Sequence, residues 1–179
     1  MSEISSVETA ILGLLYEHHH YAYRLEEIIE KRSMRNWADL EFSSIDPVLK
    51  RLEELNLVKS EMREDKPSVK VYSITDEGRT VLIEKIKKLI SEKSRVIYPF
   101  DLGIANINFL SREEKISSLE LYLKSLEERI GFLDNSIKVQ EKNNVPYNFI
   151  AIFSRSSALL KAEREWVKEF IKKIEENEI

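Results

Sequence analysis

The chain has 179 residues, with 28 Lys+Arg against 32 Asp+Glu and a formal net charge of −4. It is 42% hydrophobic, long enough to bury a core in one or two domains, and not of disordered composition. It contains no cysteine, which excludes disulfides, thiol nucleophiles and cysteine-ligated zinc and leads us to expect a reducing, cytoplasmic setting. No apolar run approaches the ~18 residues of a membrane span, so no membrane partner is expected. The amino terminus lacks a basic flank leading into an apolar stretch, so no signal peptide is expected either. Glycine and proline number four each, and no GxGxxG or GxxxxGK[ST] phosphate loop occurs, so a parallel α/β sheet is disfavoured.

In chain order, Ser5 to Tyr16 places Val7, Ile11, Leu14 and Leu15 at helical spacing behind a serine cap. A second helix from Ala22 to Arg32 carries Leu25, Ile28 and Ile29 on one face. An irregular link containing Trp37 and Leu40 follows. A third helix begins near Ser43 and ends near Leu55, with Ile45, Val48, Leu49, Leu52 and Leu55 as its apolar face. Ser43 and Asp46 have the spacing of a capping box, and Pro47 falls in the first turn, where its missing N–H is harmless. Val58 to Arg63 and Val69 to Ile74 are β-prone and flank the turn-rich Glu64-Asp65-Lys66-Pro67-Ser68, which predicts a hairpin. Thr75 then caps a helix with acids in its first turn.

The order helix, helix, helix, strand, strand, helix predicts a winged helix-turn-helix, with the third helix as recognition helix and the hairpin as wing. The rest reads as helix. From Ser111 to Asn143, Ile116, Leu119, Leu123, Leu126, Ile130, Leu133 and Ile137 are spaced by alternating threes and fours, the heptad seam of a coiled coil. Asn143-Asn144-Val145-Pro146 reads as a turn, and Tyr147 to Glu176 as a second long helix. Its apolar stripe is wide, because Trp166, Val167, Phe170 and Ile171 are all apolar. A stripe that wide implies more than one neighbour, most simply a second copy of the chain. The expected fold is therefore mostly α. A winged helix-turn-helix head spans 1–75, a helix over 76–98 connects, and a two-helix coiled-coil-like dimerisation region spans 99–179. We place Leu119, Leu123, Leu126, Ile130, Leu133, Val167 and Phe170 at the dimer interface.

Enzyme chemistry finds no constellation. His18, His19 and His20 are the only histidines, and no G-x-S-x-G is present. Adjacent histidine side chains diverge on a turn, and no HExxH or carboxylate pair completes a metal shell, so neither metal nor cofactor is expected.

The strings Ala10-Ile11-Leu12-Gly13-Leu14-Leu15, Tyr21-Ala22-Tyr23-Arg24-Leu25, Ser44-Ile45-Asp46-Pro47-Val48-Leu49-Lys50-Arg51-Leu52-Glu53, Leu57-Val58 and Lys70-Val71-Tyr72-Ser73-Ile74-Thr75-Asp76-Glu77-Gly78-Arg79 together resemble the PadR family of transcriptional regulators. The two-helix tail is similar in architecture to the longer-tailed branch related to the virulence activators. The resemblance implies a homodimer that regulates genes, with repression the expected sign, by binding palindromic operator DNA. It implies a phosphate-facing role for Lys50. It also implies a planar aromatic or cationic effector held between aromatic side chains, for which Tyr98, Phe100 and Trp166 are the candidates. Asp46 stands where the family commonly carries a phosphate-contacting tyrosine, and Asp65-Lys66-Pro67-Ser68 carries an acid where the family's wing tip often has glycine.

Residues 1–75 carry 10 Lys+Arg against 14 Asp+Glu, an acidic balance for a nucleic-acid-binding head. DNA binding therefore requires the basic residues to share one face. Tyr23, Ser44, Lys50, Arg51, Lys66 and Lys70 are the candidate contacts, with Arg24 and Arg63 able to join them. The alternative is a dimeric helical interaction module whose acidic head no longer binds DNA.

Overall fold

A computed structural model describes residues 3–41, 43–62, 69–93 and 95–178. The chain forms two compact units, Met1–Arg95 and Val96–Ile179. The first contains α1 (Ser6–Glu17), α2 (Ala22–Lys31), α3 (Asp46–Glu54), β1 (Val58–Met62), β2 (Lys70–Ile74) and α4 (Asp76–Ser91). The second contains α5 (Pro99–Ala105), α6 (Arg112–Lys142) and α7 (Tyr147–Glu175). Among the described residues no helix is long and apolar enough to cross a membrane.

The head is built around one apolar cluster. Ile11, Leu12 and Leu15 of α1, Leu25 and Ile29 of α2, Leu49 and Leu52 of α3 with Ile45 just before it, and Leu82 of α4 are buried together. Trp37 packs against this cluster and donates its indole N–H to the Arg32 carbonyl at 3.4 Å. The two strands pair antiparallel from Val58 opposite Ile74 to Met62 opposite Lys70. The histidine run takes part in the sheet. His20 exchanges both backbone hydrogen bonds with Tyr72, at 3.1 and 2.8 Å, and so covers the other edge of β2.

Local chemistry sets the element ends. Ser5 and Glu8 form a capping box at α1, and Ser111 and Glu114 form another at α6. Asn56 follows α3 at φ 56°, a left-handed position asparagine tolerates, and the Leu57 N–H reaches back to the Leu52 carbonyl at 2.9 Å in a Schellman closure. The expected Ser43–Asp46 capping box does not form. The helix starts at Asp46, and the Glu26 carboxylate of α2 accepts from the Ile45 N–H at 3.1 Å, while Ser44 Oγ accepts from the Asp46 N–H at 3.3 Å. A long-range carboxylate has displaced the local cap. The helix expected over 76–98 ends at Ser91, because Glu92 is extended and Pro99 starts α5. A residue preceding proline is driven out of the helical region, and Tyr98 accordingly sits at φ −103°, ψ 125°.

In the second unit α6 and α7 form an antiparallel hairpin joined through Asn144, again left-handed at φ 53°. Leu119 and Leu126 of α6 pack with Val167, Ile171 and Ile174 of α7, and Ile130, Leu133 and Ile150 are also buried. Farther along the seam, Asp134 accepts from Ser157 Oγ at 2.6 Å and from Lys161 at 3.0 Å, and Lys161 holds its carboxyl below the usual carboxylate range. The heptad seam is thus filled from within the chain, and burying Leu119, Leu126, Ile130, Leu133 and Val167 does not need a second copy.

Gly78 lies where α4 leaves the sheet. A Cβ there would stand 2.0 Å from the Leu57 carbonyl oxygen, a backbone atom that cannot step aside. The Gly78 N–H is also held by Thr75 Oγ1 at 2.9 Å. Gly78→Ala is expected to destabilise the head by about 1–3 kcal/mol, read as a lower midpoint in urea. At the far side of the head Arg32 grips Glu17 through both guanidinium nitrogens, at 2.8 and 2.7 Å, and holds that carboxyl below its ordinary value. The pair is about a third exposed, so it is worth about 1 kcal/mol or less. Its contribution is present above the usual carboxylate pKa and fades as pH falls through the lowered folded value. The stability difference between wild type and Glu17→Gln should therefore be measurable at pH 7 and vanish in acid.

Candidate nucleic-acid interface

The site is set by which side of α3 is inside. Ile45, Leu49 and Leu52, spaced by four and three, are at most 1% exposed. The opposite face carries Asp46, Pro47, Lys50, Arg51 and Glu54 to solvent. Lys50 is 78% exposed and its nearest acid, Glu54, is 4.0 Å away. A surface pair of that length is weak, so the ammonium is available to a stronger anion. Lys70 on β2 faces Glu53 at 3.7 Å, and Glu53 is itself taken by Ser60 Oγ at 2.5 Å.

An open cleft of about 410 Å³ lies where α2, the start of α3 and β2 meet. Tyr21, Tyr23, Glu26, Asp46, Lys70 and Tyr72 line it. Tyr23 is 60% exposed and its ring lies parallel to that of Tyr21, with centroids 5.6 Å apart. Burial, then the nearby Glu53 and Asp46 charges, pushes the Tyr72 phenol up, so it stays protonated at neutral pH. Burial and the neighbouring His18 push the His20 imidazole down, so it adds no cation here at neutral pH.

Tyr23, Asp46 and Lys70 therefore share one cleft, with Ser44 adjoining at the helix start and Lys50 on the next turn. Arg51 behaves differently. Its Nε turns back to 3.0 Å from Glu8 of α1, a carboxylate only 3% exposed. Lys66 and Arg63, expected on the wing, lie outside the described residues. Two roles escaped the sequence reading. Glu26 and Glu8 each carry a buried-side task for the third helix, and only their pairing in space reveals it. The acids of the head are thus in part internal fasteners: Glu8, Glu26 and Glu53 each engage a neighbour within the fold.

In the second unit Phe100 stacks on Tyr122 with centroids 4.2 Å apart and meets Trp166 edge-on at 6.2 Å. Trp166 stacks on Phe170 at 4.9 Å. Tyr122 donates to Glu163 at 2.6 Å, and burial together with that acid pushes its phenol well above the ordinary value. Of the three residues named for an effector, Phe100 and Trp166 are brought together, while Tyr98 is half exposed at the start of α5.

Residues 11–84 match the family model described as the transcriptional regulator PadR-like family. No curated protein matches the chain. Among solved structures, Bacillus subtilis PadR in complex with operator DNA is similar with a TM-score of 0.74 at 20% identity, over 95% of this chain and 99% of that one. The same regulator in complex with p-coumaric acid gives 0.73 at 20% identity, over 96% and 99%. The Vibrio cholerae virulence activator AphA gives 0.63 at 15% identity, over 95% and 98%. At these identities the likeness is one of fold, and it extends from the head through the helical tail. Over residues 11–84 the head is thus similar to the PadR-like family of transcriptional regulators, and the fold of the chain is similar to that of the solved PadR structures.

Proposed function

We propose that the protein is a cytoplasmic, non-enzymatic repressor that binds a palindromic DNA operator as a homodimer, with α3 in the major groove and the wing on the flanking backbone. The observation that carries this reading is the exposed face of α3. Lys50 stands free of any strong partner, opposite a fully buried Ile45-Leu49-Leu52 face. Lys50 and Lys70 supply cations to phosphate, and Tyr23 and Ser44 supply hydroxyl donors. Such contacts fix position and register more than sequence. The exposed ion pairs of Lys50 and Lys70 exchange readily for phosphate because each is weak in water.

The second unit supplies the dimer contact. Its hairpin seam is closed within the chain, so the partner copy meets the apolar residues left outside. Leu102, Phe109, Leu121 and Phe132 are each more than half exposed. Leu123 and Phe170 are half-buried against the seam. The B. subtilis regulator takes p-coumaric acid. The Phe100, Tyr122, Trp166 and Phe170 cluster favours a planar aromatic effector in this chain too, with Tyr98 at its rim. Such a ligand regulates only by binding the DNA-competent and incompetent arrangements with different affinity.

Selection from a random duplex library followed by anisotropy titration tests the reading. Salt-sensitive, sequence-selective binding is expected, and its absence contradicts the proposal. Lys50→Ala should lower the slope of log K against log salt by about 1.8 for the dimer, about 0.9 for each of its two copies. Asp46→Asn, which removes an acid from the cleft, should tighten binding by about fivefold or less, the effect of about 1 kcal/mol of exposed charge. Leu121→Glu or Phe132→Glu should halve the mass seen by light scattering with helicity intact. Leu126→Ala should instead lower stability by about 2–5 kcal/mol and leave the mass unchanged.

A further inference from the structure

We propose that Glu8 and Arg51 are positioning residues for duplex binding: the buried carboxylate on α1 draws the Arg51 guanidinium back along α3 and sets the roll of that helix, so Arg51 serves DNA binding without contacting DNA. This rests on the reading that α3 faces the duplex, and it assigns Arg51 a role other than the phosphate contact its place in the sequence suggests.

Glu8 is 2% exposed. Its two oxygens have different tasks. Oε2 accepts from the Ser5 N–H at 2.7 Å and completes the α1 capping box. Capping needs one acceptor oxygen, and a glutamine would supply it equally well. Oε1 is buried and accepts no hydrogen bond among the described residues. Arg51 Nε lies 3.0 Å from it, a contact of charge without the alignment of a hydrogen bond. A buried carboxylate left with an unmade hydrogen bond is tolerated only beside a countercharge, and Arg51 is the one the described residues bring.

The geometric consequence falls on the neighbouring residue. Successive side chains on a helix are turned by roughly 100° from one another. Tying Arg51 to α1 therefore fixes the direction of Lys50, 78% exposed on the adjoining strip of α3. Hydrophobic burial of Leu49 and Leu52 sets the depth of the helix but tolerates small rotations. The ion pair from Arg51 to Glu8 of α1 adds a directional tie that restricts them.

The experiment compares wild type, Glu8→Gln, Arg51→Gln and the double variant by anisotropy, using a fluorescein-labelled 30-bp duplex of arbitrary sequence over a range of salt. Wild type that binds no duplex overturns the functional reading itself. Given wild-type binding, Glu8→Gln, which cannot touch DNA, should weaken binding about threefold to tenfold. Arg51→Gln should weaken it by a similar factor. The double variant should lose no more than either single variant. All three should keep the wild-type salt slope, because no phosphate contact is removed. Arg51→Gln with a salt slope lowered by about 0.9 for each copy in the dimer, or Glu8→Gln with unchanged affinity, overturns the proposal. Should Glu8→Gln fail to fold, the slope of Arg51→Gln decides alone, since that side chain is 59% exposed and its replacement leaves the apolar core intact.

Discussion

Three apolar side chains, Ile45, Leu49 and Leu52, determine which side of the third helix meets solvent. Burying them against Ile11, Leu12 and Leu25 decides which face of the helix is outermost, and the candidate interface is built on that face. Lys50 points outward because Leu49 and Leu52 point inward. Asp46 enters the cleft because Ile45 must enter the core. The wing stands beside the helix because Leu57 and Val58, which begin it, belong to the same apolar cluster. A head that is acidic in total can thus present a basic side chain where it matters, while acids such as Glu8 and Glu26 serve within the fold.

The second unit obeys a different constraint. A helix of 31 residues, about 46 Å long at 1.5 Å per residue, needs a partner along its whole length. Helix α7 provides it, and a polar cluster of Asp134, Ser157 and Lys161 marks the register of the pair. Ser157, the buried member of that cluster, would lose its Asp134 acceptor on any sliding of the two helices. What the hairpin leaves outside is the aromatic and aliphatic surface that we assign to the second copy.

Much of this was legible in the sequence because local rules and tertiary packing agreed. The order of elements, the hairpin, the Thr75 cap and the apolar face of α3 all follow from spacing and turn chemistry over a few residues. What was not legible shares a cause. The cap of α3 comes from Glu26, 19 residues away in sequence, and no local motif announces it. Arg51 reads as one more cation on an exposed helix face until Glu8 is seen beneath it. The heptad seam was read correctly as a seam, but periodicity alone does not say whether the facing helix belongs to the same chain. The short loop through Asn144 brings α7 back onto α6, and only the fold shows how completely it fills the groove. Phe100 and Trp166 came together as expected, whereas Tyr122, the ring that stacks on Phe100, lies beside the heptad positions and drew no notice.

The central claim is that the packed face of α3 leaves its Lys50 side to a duplex and that two copies do this at a fixed separation. Hydroxyl-radical footprinting on a selected duplex tests it most directly. The account predicts two protected patches related by two-fold symmetry, with centres one helical turn, about 10–10.5 base pairs, or a multiple of it apart. A single protected patch, or cleavage as uniform as on free DNA, would contradict it.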